Sequence, residues 1–315
     1  MEAATDVASA MATRSLPPLR LLVERRFPLE MNVTLSEIRA LYDSGKAGRW
    51  NPHRDIDWSA LAPEQYDAAT REAARRTWSR RLWIEATGLT ETPALIVRFC
   101  MEVGREIDPK FYLTTRNTEE AWHIECFDRI AEAFGGRVAR PAEPAYEAVF
   151  NRNLHRRVLD AGQHLDGYVA AHAAFEDGLE LALFQLWRKN AANPAIAAVL
   201  DRVITDKERH AAFGWLYLTS RAPHWSADDR AAIADELTTH VRDTELRGYH
   251  CPWLAPEHAQ AEAEADERVA AAGLGGATRA QEEDALVTYV ANARARLAEL
   301  GVILPAFETN RMRAF

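Results

Sequence analysis

The chain has 315 residues, 48% apolar and 27% charged, with 15 Gly and 14 Pro, which excludes collagen, low complexity and wholesale disorder. Its 38 Lys and Arg stand against 47 Asp and Glu, a net charge of −9, which sets it against a polyanion and predicts no nucleic-acid partner. Cys100, Cys126 and Cys251 lie far apart and cannot all pair, predicting no disulfide framework and a cytoplasmic location; no stretch approaches the roughly 18 apolar residues of a membrane span.

The first 18 residues lack an apolar leader core and read as a tail. Apolar residues then recur at three- and four-residue spacing, which predicts an all-α chain. A short helix opens near Thr34 and Glu37, which resemble a capping box, and a breaker-rich loop follows, anchored by Trp50 and Trp58. The first long helix starts near Pro63 and carries Trp78, Leu82, Glu85 and Leu89; Thr92 and Pro93 leave open whether Ala94 to Arg105 is a separate helix. A second helix runs from about Pro109 to Phe134 and stops at Gly135 and Gly136, a third spans roughly Asp160 to Lys189, and Asn193 with Pro194 opens a fourth that lasts to about Arg221. The long connection between the second and third helices predicts a crossover. Beyond Pro223 three amphipathic helices, near 226 to 247, from Pro256 and from Thr278, read as packing additions. The expected organisation is one domain over 1–315, with an N-terminal arm 1–62, a core bundle 63–221 and a C-terminal helical addition 222–315.

Each central helix carries acids or imidazoles on its otherwise apolar stripe, which costs energy unless something satisfies them. Glu85 lies between Leu82 and Leu89; Glu120 and His123 share a face with Phe127 and Ile130; His172 and Glu176 lie with Tyr168 and Leu183; Lys207 and His210 lie with Val203 and Tyr217. With 47 acids and 10 His, about 1.5 acid-x-x-His pairs arise by chance, so the constellation matters more than any single motif. Four helices aiming such groups inward match the way a bundle builds a metal site. Glu119 and Asp206 precede the two motifs, and each can serve the imidazole of the opposite helix, since a metal-bound His wants a carboxylate on its other nitrogen. His172 reads as a hydrogen-bonded core histidine, Cys126 as a buried inert thiol, and Arg75, Arg76, Arg80 and Arg81 as a basic face, solvated or paired with acids.

On EEAWH at 119 to 123 and DKERH at 206 to 210, residues 63 to 221 resemble the ferritin-like dimetal-carboxylate superfamily, which includes ribonucleotide reductase small subunits and the para-aminobenzoate N-oxygenase type. The resemblance implies a ferritin-like four-helix bundle and a dioxygen-dependent oxidase or oxygenase acting on a small organic molecule. It also implies an external electron donor, a homodimer, and Fe, one or two ions, or Mn as cofactor. It assigns Glu85, Glu120, His123, Glu176 and His210 to metal ligation and puts Glu119 and Asp206 behind them.

Position 207 departs from the pattern, because a Glu is expected there and the chain has Lys207. An ammonium offers no lone pair and repels a cation. Three outcomes follow: one metal remains on Glu85, Glu120 and His123; no metal binds and Lys207 pairs with Glu176 and Glu120; or Glu180 or Glu208 substitutes as ligand. Lys207 is the expected catalytic residue, setting the metal number or orienting an intermediate. The competing expectation is a non-catalytic or metal-free subunit that supports a partner enzyme.

Overall fold

The computed structural model describes residues 33–102, 105–255 and 259–315; the expected N-terminal tail lies outside them. Among the described residues the regular elements are helices. α1 (Ser36–Ala47) begins without the expected box, since no side chain caps Leu35. The Leu35 N–H instead donates to Asp108 Oδ2 at 2.7 Å, and Arg39 closes on the same carboxylate. A long-range partner has displaced a local one.

α2 (Ala68–Met101) is capped by Asp67 and runs unbroken through Pro93, whereas Pro63–Gln65 forms a separate short turn. Pro93 shares its outward row with Leu89 and Val97, 39% and 49% exposed, so solvent can replace the one backbone bond it forfeits. Leu89 therefore does not join the inward stripe. α3 (Asp108–Ala133) ends where Gly135 and Gly136 take φ of 124° and 95°, which only glycine adopts freely. The crossover carries α4 (Pro144–Phe150) and α5 (Leu154–Leu159), the latter against α2.

The third long helix is interrupted. α6 (Leu165–Val169) passes into a π-helical turn, Ala170–Phe175, and then into α7 (Glu176–Lys189). The wider turn is received by Gly214 of α8 (Pro194–Arg221), where any Cβ would overlap the backbone of Ala173 and Ala174. The Tyr289 hydroxyl donates to the Ala174 carbonyl at 3.1 Å. Asn193 caps α8 by accepting from the N–H groups of Ala195 and Ile196.

α2 packs on α3 and α7 on α8, giving two helical hairpins side by side. α9 (Ala227–Asp243), α10 (Ala259–Ala271) and α11 (Arg279–Glu299) cover the π turn, α2 and α7 respectively. One apolar core runs from Ile38 in α1 through Trp78, Phe127 and Leu183 to Leu297 in α11. Arg80 and Arg81, expected on a basic outer face, are buried. Arg80 donates to the carbonyls of Gly248 and Tyr249 and Arg81 to that of Gly275. They are the pegs that fasten the C-terminal segment to α2. No helix among the described residues is long and apolar enough to cross a membrane.

Candidate functional site

Facing turns of α3 and α8 hold two imidazoles through crossed acids. His123 Nε2 lies 3.1 Å from Asp206 Oδ2, which also accepts the Trp50 indole N–H at 2.9 Å, and His210 Nε2 lies 3.0 Å from Glu119 Oε2. Arg209 bridges Glu119 and Asp206. The second nitrogen of each ring is left facing inward. His123 Nδ1 is 3.4 Å from Glu85 Oε2, and the buried His210 Nδ1 has no hydrogen-bond partner. Burial, followed by the charges of Arg116 and Lys207, holds His210 well below its ordinary pKa, so it is neutral and keeps a lone pair. Burial opposes the His123 imidazolium too, but Glu85 and Asp206 outweigh it and raise that ring to about 9.

Lys207 lies between the hairpins, with Nζ 2.8 Å from Glu85 Oε1 and 2.5 Å from Glu180 Oε2. Its partners are thus Glu85 and Glu180, not Glu176 and Glu120. Burial disfavours the ammonium, yet Glu180 and Glu85 hold it protonated well above the ordinary lysine range. The same balance disfavours a free amine at this position. Burial also opposes ionisation of Glu85, but Lys207 and His123 pull its carboxyl down to about 2.

Glu120 is turned toward α2. Its Oε1 accepts from Arg116 at 2.9 Å and from Thr92 at 3.0 Å, while Oε2 is buried without a partner. Gly88 makes the room: a Cβ there would stand 2.8 Å from the Glu120 carboxylate. Arg116 also grips Asp177, at 2.6 and 3.0 Å. Glu176 is gripped by Arg152 at 2.9 and 3.1 Å and by His172 Nδ1 at 3.0 Å.

The C-terminal segment, expected only to pack, reaches this centre. His250 bonds Glu180 at 3.2 Å and Glu245 at 2.8 Å; Glu245 in turn lies 3.1 Å from His240 Nε2. Sequence reasoning missed these residues and Arg116, although two signals were present. Arg116 stands one helical turn before Glu120, and His240 interrupts the apolar row of Ile233, Leu237 and Val241. A cavity of about 20 Å³, room for one water, is walled by Glu85, Glu120, Glu176, Glu180, Lys207 and Tyr249 among others. Cys126 is buried and burial pushes its thiol far up.

The donor set decides what the centre can hold. Lys207, Arg116 and Arg152 occupy the carboxylates where two metal ions would sit, so a dimetal cluster does not fit. His210 Nδ1 keeps a lone pair and Glu120 Oε2 is without a partner, whereas His123 must give up a proton to bind an ion.

No protein-family model matches the sequence, and no curated protein sequence matches it. Solved structures do. A variant of an R2-like ligand-binding oxidase with an anaerobically reconstituted Mn/Fe cofactor is 18% identical over 82% of this chain and 92% of its own, with a TM-score of 0.63. Another variant, with an aerobically reconstituted Mn/Fe cofactor, is 19% identical over 83% and 92%, at 0.61. A third structure of that oxidase, after photoconversion, is 18% identical over 84% and 90%, at 0.56. The chain has the all-helical, ferritin-like bundle fold of these R2-like oxidases.

Proposed function

We propose that the protein is an oxidoreductase that uses dioxygen on a small organic molecule, with one metal ion, Fe or Mn, where its structural neighbours carry a Mn/Fe cofactor. One observation carries the reading: Asp206 and Glu119 fix the outer nitrogens of His123 and His210, and the inward His210 Nδ1 is neutral, buried and unpartnered. That is how ligand imidazoles are held. Glu85, Glu120, His123 and His210 would hold the ion, which would supply one-electron chemistry with dioxygen. Lys207 replaces a second cation: its fixed ammonium neutralises Glu85 and Glu180. Arg116 orients Glu120, and Glu176, set apart with Arg152, is not needed for this ion. A homodimer and an external electron donor complete the proposal.

The test is anaerobic Fe²⁺ loading followed by elemental analysis and dioxygen uptake. Relative to wild type, His123→Ala should lose one metal equivalent, Lys207→Glu should gain one, and Glu120→Ala should lose dioxygen uptake. Equal metal content in wild type and His123→Ala would overturn the proposal. It would favour a second reading, supported by the guanidinium or ammonium on every inward carboxylate: a metal-free subunit that supports a partner enzyme.

A further inference from the structure

The cavity at the centre has a volume of about 20 Å³, enough for one water and too small for an organic molecule. A substrate must therefore be held beside it. We propose that the pocket between α2 and the crossover, about 380 Å³ in volume, binds a small aromatic carboxylic acid with its ring turned toward the centre and its carboxylate toward solvent. The role of that ligand as substrate rests on the oxidoreductase reading; its binding does not.

Two walls tie the pocket to the centre. On α2, Thr87 and Glu91 line both spaces. The Thr87 hydroxyl and the Tyr249 hydroxyl stand 3.2 Å apart as a thin partition, with Tyr249 on the cavity side and Phe150, 5.3 Å from it between ring centroids, on the pocket side. The next residue of α2, Gly88, is the one packed against the Glu120 carboxylate. The crossover makes the second wall. Asn153 turns the chain through a φ of 53°, so that Arg152 points inward to grip Glu176 while Asn151 and Asn153 on either side of it line the pocket.

The chemistry of the wall selects the ligand. Trp83 and Phe150 meet edge to face, 6.1 Å apart at 88°, and form a right-angled corner: a ring stacked on one turns its edge to the other. The Trp83 indole N–H donates to the Val138 carbonyl at 3.0 Å, so the corner is set before a ligand arrives. The volume lies in the range of small-molecule sites, about 300–1,000 Å³. Arg140 stands 5.7 Å from the Phe150 ring and 3.5 Å from Glu147. That ion pair is partly exposed and weak, and a guanidinium with five N–H donors keeps some for a ligand carboxylate. His155 adds a ring nitrogen nearby. Arg140 and His155 line the pocket alone, whereas Glu91 stands on its border with the centre and disfavours an anion there. The carboxylate is thereby directed outward and the ring inward.

The experiment is calorimetric titration of the metal-stripped full chain with benzoate, phenylacetate and 3-phenylpropionate, with the neutral amide of each, and with decanoate, for wild type, Arg140→Gln and Thr90→Trp. Thr90 is exposed on the pocket wall, and an indole there would fill the space. At least one aromatic acid should bind at one per chain, its amide at least tenfold more weakly; Arg140→Gln should weaken the acid at least tenfold and Thr90→Trp should abolish its binding. Binding of none of the three acids, an amide as tight as its acid, tighter binding of decanoate, or an affinity untouched by both variants would overturn the proposal. Because no metal is present, the two readings fail separately. A chain that binds the acid but takes up no dioxygen after Fe²⁺ loading would sink the oxidoreductase reading and leave the pocket standing; one that takes up dioxygen but binds no aromatic acid would do the reverse.

Discussion

Lys207→Met removes the charge at the middle of the bundle while keeping the length of the side chain. Lys207 is 3% exposed and joined to two carboxylates. Deleting one partner of a buried ion pair costs about 3–5 kcal/mol, because the other charge is left uncompensated. Glu180 retains His250 at 3.2 Å and Glu85 retains His123 at 3.4 Å, so the lower figure, about 3 kcal/mol, applies. At roughly 2.1 cal/mol/K of unfolding entropy per residue the chain has about 0.65 kcal/mol/K, and the loss is about 5 °C in Tm. A divalent ion should then fill the vacancy: at 100 times its Kd it contributes about 2.7 kcal/mol, or about 4 °C. Differential scanning calorimetry of metal-stripped wild type and variant, with and without Mn²⁺, reads both effects. A variant that melts within 1 °C of wild type and ignores Mn²⁺ would refute the pairing on which the charge argument rests.

Gly214→Ala should destabilise by about 3 kcal/mol, since the new Cβ meets backbone of the π turn rather than a side chain that can yield; an unchanged Tm would show that the turn relaxes freely. Glu282 tests the C-terminal docking. Burial first, then the neighbouring Asp266, raises its carboxyl to about 8, with Arg81 and the indoles of Trp187 and Trp253 opposing. A folded pKa above the unfolded one means that the contribution to stability is complete below about pH 4.5 and is lost as pH rises through 8. Wild type should therefore lose Tm between about pH 4.5 and 8, and Glu282→Gln should lose less; parallel melting curves would exclude Glu282 as the cause.

The helical order was legible because its signals are local. Asn193 with Pro194, Thr278 with Gln281, and the paired glycines at 135 and 136 each act within one turn of chain. The inward position of Glu85, Glu120, His123 and His210 could be read from 3.6-residue periodicity alone. Long-range causes stayed hidden. LDGYVAAHAAFE reads as regular helix, and its π turn depends on Gly214 and Tyr289, distant in sequence. The partners of Lys207 depend on side-chain reach between α7 and α8, which spacing does not fix. Arg80 and Arg81 bury their charges only because the segment around Gly248 and Gly275 supplies carbonyl groups.

The buried charges of this bundle are not an argument for stability, since replacing matched ion pairs with apolar side chains is often neutral or stabilising. Glu85 and Glu180 have Lys207, Glu120 and Asp177 have Arg116, Glu176 has Arg152, and Glu119 and Asp206 have Arg209. Each carboxylate of the set has a cationic partner, although four cations serve seven acids, and a fold needing only a core would gain by losing the set whole. The histidines are different. An unsatisfied buried imidazole nitrogen costs about 1–3 kcal/mol, and His210 Nδ1, His172 Nε2 and His240 Nδ1 are each in that state. For His210 the carboxylate on the opposite nitrogen fixes the ring so that the unsatisfied atom stays inside, and nothing among the described residues compensates it. A bound cation would, which is why the argument for metal rests on the imidazoles and not on the carboxylates.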